Sequence, residues 1–211
     1  MKKSKNLPAN SWISLVIILF TGQYFWSQGN FTGNIESTFQ YLNDDPVINA
    51  IQPPSKGLVN SYMNVFYTHS GFKAGMRVES YLPRIQGYPN RFDGTGIGFR
   101  YVGYVNQKVD VTLGHFYEQF GSGLSLRTYE DRALGYDNAL DGIRLIVKPT
   151  KGIQIKGVYG NQRLSFTNGR VVNSDGIVRA IDAELSLNEA IASIKDFPLE
   201  MSLGGSFVSK F

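Results

Sequence analysis

Residues 72–82, FKAGMRVESYL, alternate strictly: Phe72, Ala74, Met76, Val78 and Leu82 fall on one side of an extended backbone, and Lys73, Arg77 and Glu79 on the other. Alternation over this length predicts a β-strand with one apolar and one polar face. Upstream, Phe31, Ile35, Phe39 and Tyr41 oppose Thr32, Asn34, Glu36 and Gln40, and a weaker strand at 59–69 has Met63, Val65 and Tyr67 on its apolar side. Downstream, Ile97, Phe99, Tyr101 and Val105 oppose Arg100, while Val109, Val111, Leu113 and Tyr117 oppose Asp110, Thr112 and Glu118. Ile143, Leu145 and Val147 then oppose Arg144 and Lys148, and Ile153, Ile155 and Tyr159 oppose Gln154 and Lys156. Ile181, Ala183 and Leu185 against Asp182 and Glu184, and Leu203 and Phe207 against Ser206 and Lys210, complete the series.

Nine strands follow, at 31–42, 59–69, 72–82, 96–105, 108–118, 140–148, 152–163, 177–187 and 199–211. Their polar faces carry seven cations (Lys73, Arg77, Arg100, Arg144, Lys148, Lys156, Lys210) and seven anions (Glu36, Glu79, Asp110, Glu118, Asp182, Glu184, Glu200). The one titratable imidazole on the apolar faces is His115. An exported β-sandwich would also alternate, with its polar face in water. Strands of about ten residues with a glycine- and tyrosine-rich apolar face favour an all-β, antiparallel transmembrane β-barrel. Short links at 70–71, 106–107 and 149–152 read as periplasmic turns, and long ones at 43–57, 83–95, 118–139 and 164–176 as surface loops. Residues 188–198 could form one short helical piece.

Nine is odd, whereas bacterial single-chain barrels use even strand numbers and leave no edge open to lipid. Residues 29–211 are therefore expected to be an incomplete, N-terminal portion of a larger barrel. A tenth strand at 120–129 would instead make a small closed one. Residues 1–28 predict a cleaved signal peptide: Lys2, Lys3 and Lys5 precede the apolar run WISLVIILF at 12–20, which is too short to span a bilayer. The predicted destination is the outer membrane of a Gram-negative cell, with membrane lipid and the barrel-assembly machinery as partners.

The net charge of +4 falls to +1 without those three lysines, so charge predicts no nucleic-acid partner. With no cysteine, thiolate metal sites and cysteine nucleophiles are excluded. His69 and His115 are too few for a histidine metal cluster, and neither lies in an H-E-x-x-H pattern. His69 and Ser70, as neighbours on a strand, would face opposite ways. The GTGIG run at 94–98 precedes a strand, not a helix, and so is no phosphate loop. The reading is non-enzymatic, without metal or cofactor.

The densest charge lies at 115–144. Glu118, Arg127, Glu130, Asp131, Arg132 and Asp141 form a candidate constriction loop folding into a lumen, where facing acids and bases set up a transverse field. They could equally pair with one another on a surface loop. Arg100, Asp110, Arg144, Lys148, Lys156, Asp182 and Glu184 form the candidate lumen wall, either as a guide for charged solutes or as a cross-strand ladder. The function expected first is porin-type passage of small solutes. The alternative is a structural or assembly component of the envelope, with a plugged barrel and loops that dock a protein partner.

The stretches FYEQFGSGLSLRTYEDRALGYDNALDGIRL (116–145), GNFTGNIESTFQYL (29–42) and LGGSFVSKF (203–211) resemble an uncharacterised family of Bacteroidota outer-membrane proteins, described only as a domain of unknown function. The segment NALDGIRL (138–145) is similar, more loosely, to the strand after the constricting loop of alginate-export-type porins. The resemblance implies an outer-membrane barrel with no established substrate. Members of that family are much longer than this chain, in line with the odd strand count.

Overall fold

The computed structural model describes residues 29–49, 51, 54–194 and 198–211. Residues 1–28, expected to be a signal peptide, lie outside them. The nine expected strands form one antiparallel sheet. They are β1 (Asn30–Tyr41), β2 (Gly57–His69), β3 (Phe72–Tyr81), β4 (Gly94–Val105), β5 (Val109–Phe116), β8 (Leu140–Val147), β9 (Ile153–Thr167), β10 (Arg170–Ser186) and β11 (Ser202–Lys210). Each pairs with its neighbour in that order. β1 and β11 do not pair with each other, so the sheet is not closed. A two-residue ladder, β6 (Glu130–Asp131) with β7 (Tyr136–Asp137), lies within the long excursion between β5 and β8. No tenth strand forms at 120–129.

Burial runs opposite to that of a water-soluble sandwich. Ile35 is 73% exposed and Phe207 65%, and Met63, Val102, Leu113, Ile143 and Leu203 stand on the same open face. The other, inner face buries Arg77, Glu79 and Asp182 together with Asn60, Asn64 and Thr112. Residues 117–139 fold back onto this inner face. Phe120 and Leu126 of the excursion pack with Phe116, Leu140, Val158, Val178 and Ala180 in an apolar cluster. A second cluster joins Tyr62 and Tyr81 to Tyr88, Phe92 and Phe166. In it the Tyr62 and Tyr88 hydroxyls lie 2.9 Å apart, and burial pushes the Tyr88 phenol above its ordinary value.

Three departures from the sequence reading have local causes. Residues 164–176 are not a long loop: β9 and β10 run on to a tight turn at Asn168-Gly169, whose positive φ values of 52° and 73° suit the primed hairpin turn that Asn-Gly favours. At Gly98 the β3–β4 ladder skips a residue, pairing Arg77 with Phe99 but Val78 with Ile97. Such a bulge inverts the alternation beyond it. Phe99 and Tyr101 therefore face inward and Arg100, paired with Met76, faces outward, the reverse of what strict alternation predicts. The helical piece near 188–198 is a one-turn helix (Leu187–Ala190) followed by a 3-10 turn (Ala192–Ile194), with 195–197 outside the described residues.

β5 and β8 have 8 residues each, β9 and β10 have 15 and 17. The start of β4 consequently reaches across the short pair to the β9–β10 hairpin. The Asp93 amide donates to the Phe166 carbonyl at 2.8 Å, and the Phe166 amide donates to the Arg91 carbonyl at 2.9 Å. The glycine run permits this contact: a Cβ on Gly96 would stand 2.0 Å from the Gly169 carbonyl oxygen.

Candidate functional site

Two ion networks cover the inner face. The upper one is centred on β3. Glu79 is fully buried and accepts four hydrogen bonds. Its Oε1 takes Arg77 Nε (2.8 Å) and Arg163 Nη1 (3.0 Å), and its Oε2 takes Arg163 Nη2 (2.7 Å) and the Tyr81 hydroxyl (2.9 Å). Asp137 of β7 is saturated in the same way. Its Oδ2 accepts from Arg163 Nη1 (2.8 Å) and Arg77 Nη2 (3.0 Å), and its Oδ1 from the Tyr117 hydroxyl and the Ala139 amide, both at 3.0 Å. Arg77 Nη1 also holds Glu130 of β6 at 2.8 Å. Glu130 passes the chain of charge to Arg132, which pairs with Glu36 on β1 and lies over the Tyr62 ring. Strand arginines thus grip the excursion through two of its carboxylates.

Removing charges from water is costly unless every lone pair and proton is met. Here every carboxylate oxygen of Glu79 and Asp137 is met, whereas the buried Arg163 Nε has no hydrogen-bond partner and the guanidinium relies on packing as well. Arg77 lies over Phe99, and Arg163 over both Phe92 and Phe166. Gly98 makes the room: a Cβ there would stand 2.1 Å from the Glu79 carboxyl carbon, and its own carbonyl accepts from Arg163.

The lower network lies nearer the short turns. Lys73 pairs with Asp110 at 2.8 Å, and Arg144 bridges Asp110 (3.0 Å) and Glu118. Lys156 faces Glu184 at 3.3 Å, Asp182 at 3.8 Å and Glu118 at 3.9 Å. Ser206 donates to Asp182 at 2.6 Å. Three cations meet four carboxylates, and several of these side chains stay partly exposed. Glu118 ties the excursion to this wall as well.

Residues 5–211 match the family of unknown function DUF6029. The chain belongs to that family. No curated protein matches it. In this DUF6029 chain the residues singled out from sequence divide sharply. Asp110, Arg144, Lys156, Asp182 and Glu184 share the inner wall, and Glu118, Glu130 and Arg132 of the excursion meet it. Arg100 and Asp141 do not belong with them, because they pair with each other at 3.5 Å on the outer face. Lys148 lies past the end of β8 in an exposed turn. Arg127 is exposed and lies over the Tyr129 ring, and Asp131 accepts from the Ala133 and Leu134 amides to shape the β6–β7 turn. His69 and Ser70 do approach, at 3.4 Å, because Ser70 has a positive φ in the turn and is not on a strand.

Sequence reading passed over Arg163, the centre of the upper network. The β9–β10 register shifts twice around it, between Val172 and Asn173 and between Asn173 and Ile177, so alternation carries no information there. The glycine run at 94–98 and the Asn168-Gly169 turn were the available signals.

Proposed function

We propose that this chain is part of an outer-membrane β-barrel of Bacteroidota type, exported by residues 1–28, whose inner face is blocked by its own excursion. In this reading it serves the envelope as a structural or docking component. The observation that carries the reading is the double saturation of Glu79 and Asp137 by Arg77 and Arg163, which holds residues 117–139 against the wall. The exposed apolar face supports lipid contact. The long segments at 43–57 and 82–93 supply surface for a protein partner.

Porin-type passage, with some kinship to alginate-export-type porins, is the second reading. One observation favours it: a cavity of about 830 Å³ persists near the short turns, between Gly121 of the excursion and Gln154 and Glu184 of the wall. The deciding experiment is conductance of the native protein in planar bilayers. The blocked reading expects no steady current from wild type, and current once Glu130→Gln and Asp137→Asn release the loop. Steady wild-type current overturns it and selects the porin. Arg144→Glu with Lys156→Glu should then shift the reversal potential towards cation preference.

A further inference from the structure

The outer face carries a polar row within its apolar band. The ladder pairs Met76 with Arg100, and Asp141 with both His115 and Asn161. Arg100, Asp141 and Asn161 stand on the outer side of β4, β8 and β9, while His115 between them is wholly buried, with Nδ1 on the Arg100 backbone and its ring against inward-facing Phe99. His115 is next to last in β5 and Asp141 is second in β8, which places the row at the loop-side rim of those strands. The Arg100 side chain is 58% exposed, and its ion pair with Asp141 at 3.5 Å falls short of a hydrogen bond. In the same patch the buried atoms His115 Nε2 and Asn173 Oδ1 have no hydrogen-bond partner. On the turn side of Arg100 a groove of about 510 Å³ runs down the wall between Val65, Met76, Val102 and Leu113. Ala74, paired with Tyr67 and Val102, is the small residue that lets it sink.

The geometry points to a binding site for a phosphate-bearing membrane lipid, with the phosphate on Arg100 and an acyl chain lying in the groove over Ala74. The inference rests on the barrel reading above. A guanidinium offers five donors in a fork that matches phosphate oxygens, and Asp141 engages this one loosely. The order of the parts, cation towards the long loops and apolar groove towards the turns, matches a lipid in the leaflet beside those loops.

Native mass spectrometry of the full protein released from mild detergent tests this, with added phosphatidylglycerol or a diacylglycerol of the same chains. Wild type should keep one phosphatidylglycerol under activation that strips the diacylglycerol. Arg100→Gln should lower that occupancy on the order of tenfold. Ala74→Leu, which fills the groove, should lower it too, so the test survives if either variant fails to fold. Arg179→Gln, an exposed outer-face arginine away from the groove, should leave it unchanged. Equal retention of phosphatidylglycerol by wild type and both groove variants overturns the site, as does equal retention of the diacylglycerol by wild type. The barrel reading fails separately, if the native protein is recovered in aqueous solution without detergent.

Discussion

The upper and lower networks use the same chemistry at different depths. Above, Glu79 is 0% and Arg163 1% exposed, and each oxygen of Glu79 and Asp137 accepts two hydrogen bonds. Below, the Lys73 and Asp110 side chains remain 26% and 23% exposed. Where water is excluded, the two carboxylates are fully paired even though Arg163 Nε has no hydrogen-bond partner, and that pairing selects one position for the excursion. Where water reaches, the charges form a solvated ladder that tolerates loss.

The sharpest way to break this contrast is Arg163→Met, which leaves Glu79 and Asp137 buried and short of donors. It should cost about 3–5 kcal/mol in equilibrium unfolding by urea, and a loss below about 1 kcal/mol would remove the upper network as the anchor of the loop. Gly98→Ala comes next. Its new methyl group meets the Glu79 carboxyl, and the same assay should show a loss of about 1–3 kcal/mol. In the lower network, Arg144→Gln should cost about 1–2 kcal/mol, because Glu118 and Asp110 each keep a lysine neighbour. Lys73→Gln should have the smallest effect, within about 1 kcal/mol, and the difference from wild type should vanish in about 1 M salt. If salt erased the Arg163→Met effect equally, the two networks would not differ in kind.

The lower network was the more legible of the two from sequence. Arg144, Lys156, Asp182 and Glu184 lie on three consecutive hairpin strands in unbroken alternation, so sharing a face follows from sharing a parity. The upper network forms where alternation fails. Gly98 turns Arg100 out and Phe99 in, and the irregular β9–β10 ladder delivers Arg163 to the inner face from a position whose neighbours give no period. Asn168-Gly169 carried a hairpin signal, but only the length of the strands on either side turned 164–176 from a loop into a ladder.

By itself the sequence determined the strand order, the antiparallel meander and which side of most strands is apolar. Those properties depend on a period of two and on short links, both of which lie within a local window. Only the tertiary structure decided that residues 117–139 lie against the wall and that Arg163 meets Glu79 across 84 positions of chain. The energy of a buried ion pair depends on how completely distant segments exclude water and supply partners, and no local window contains that.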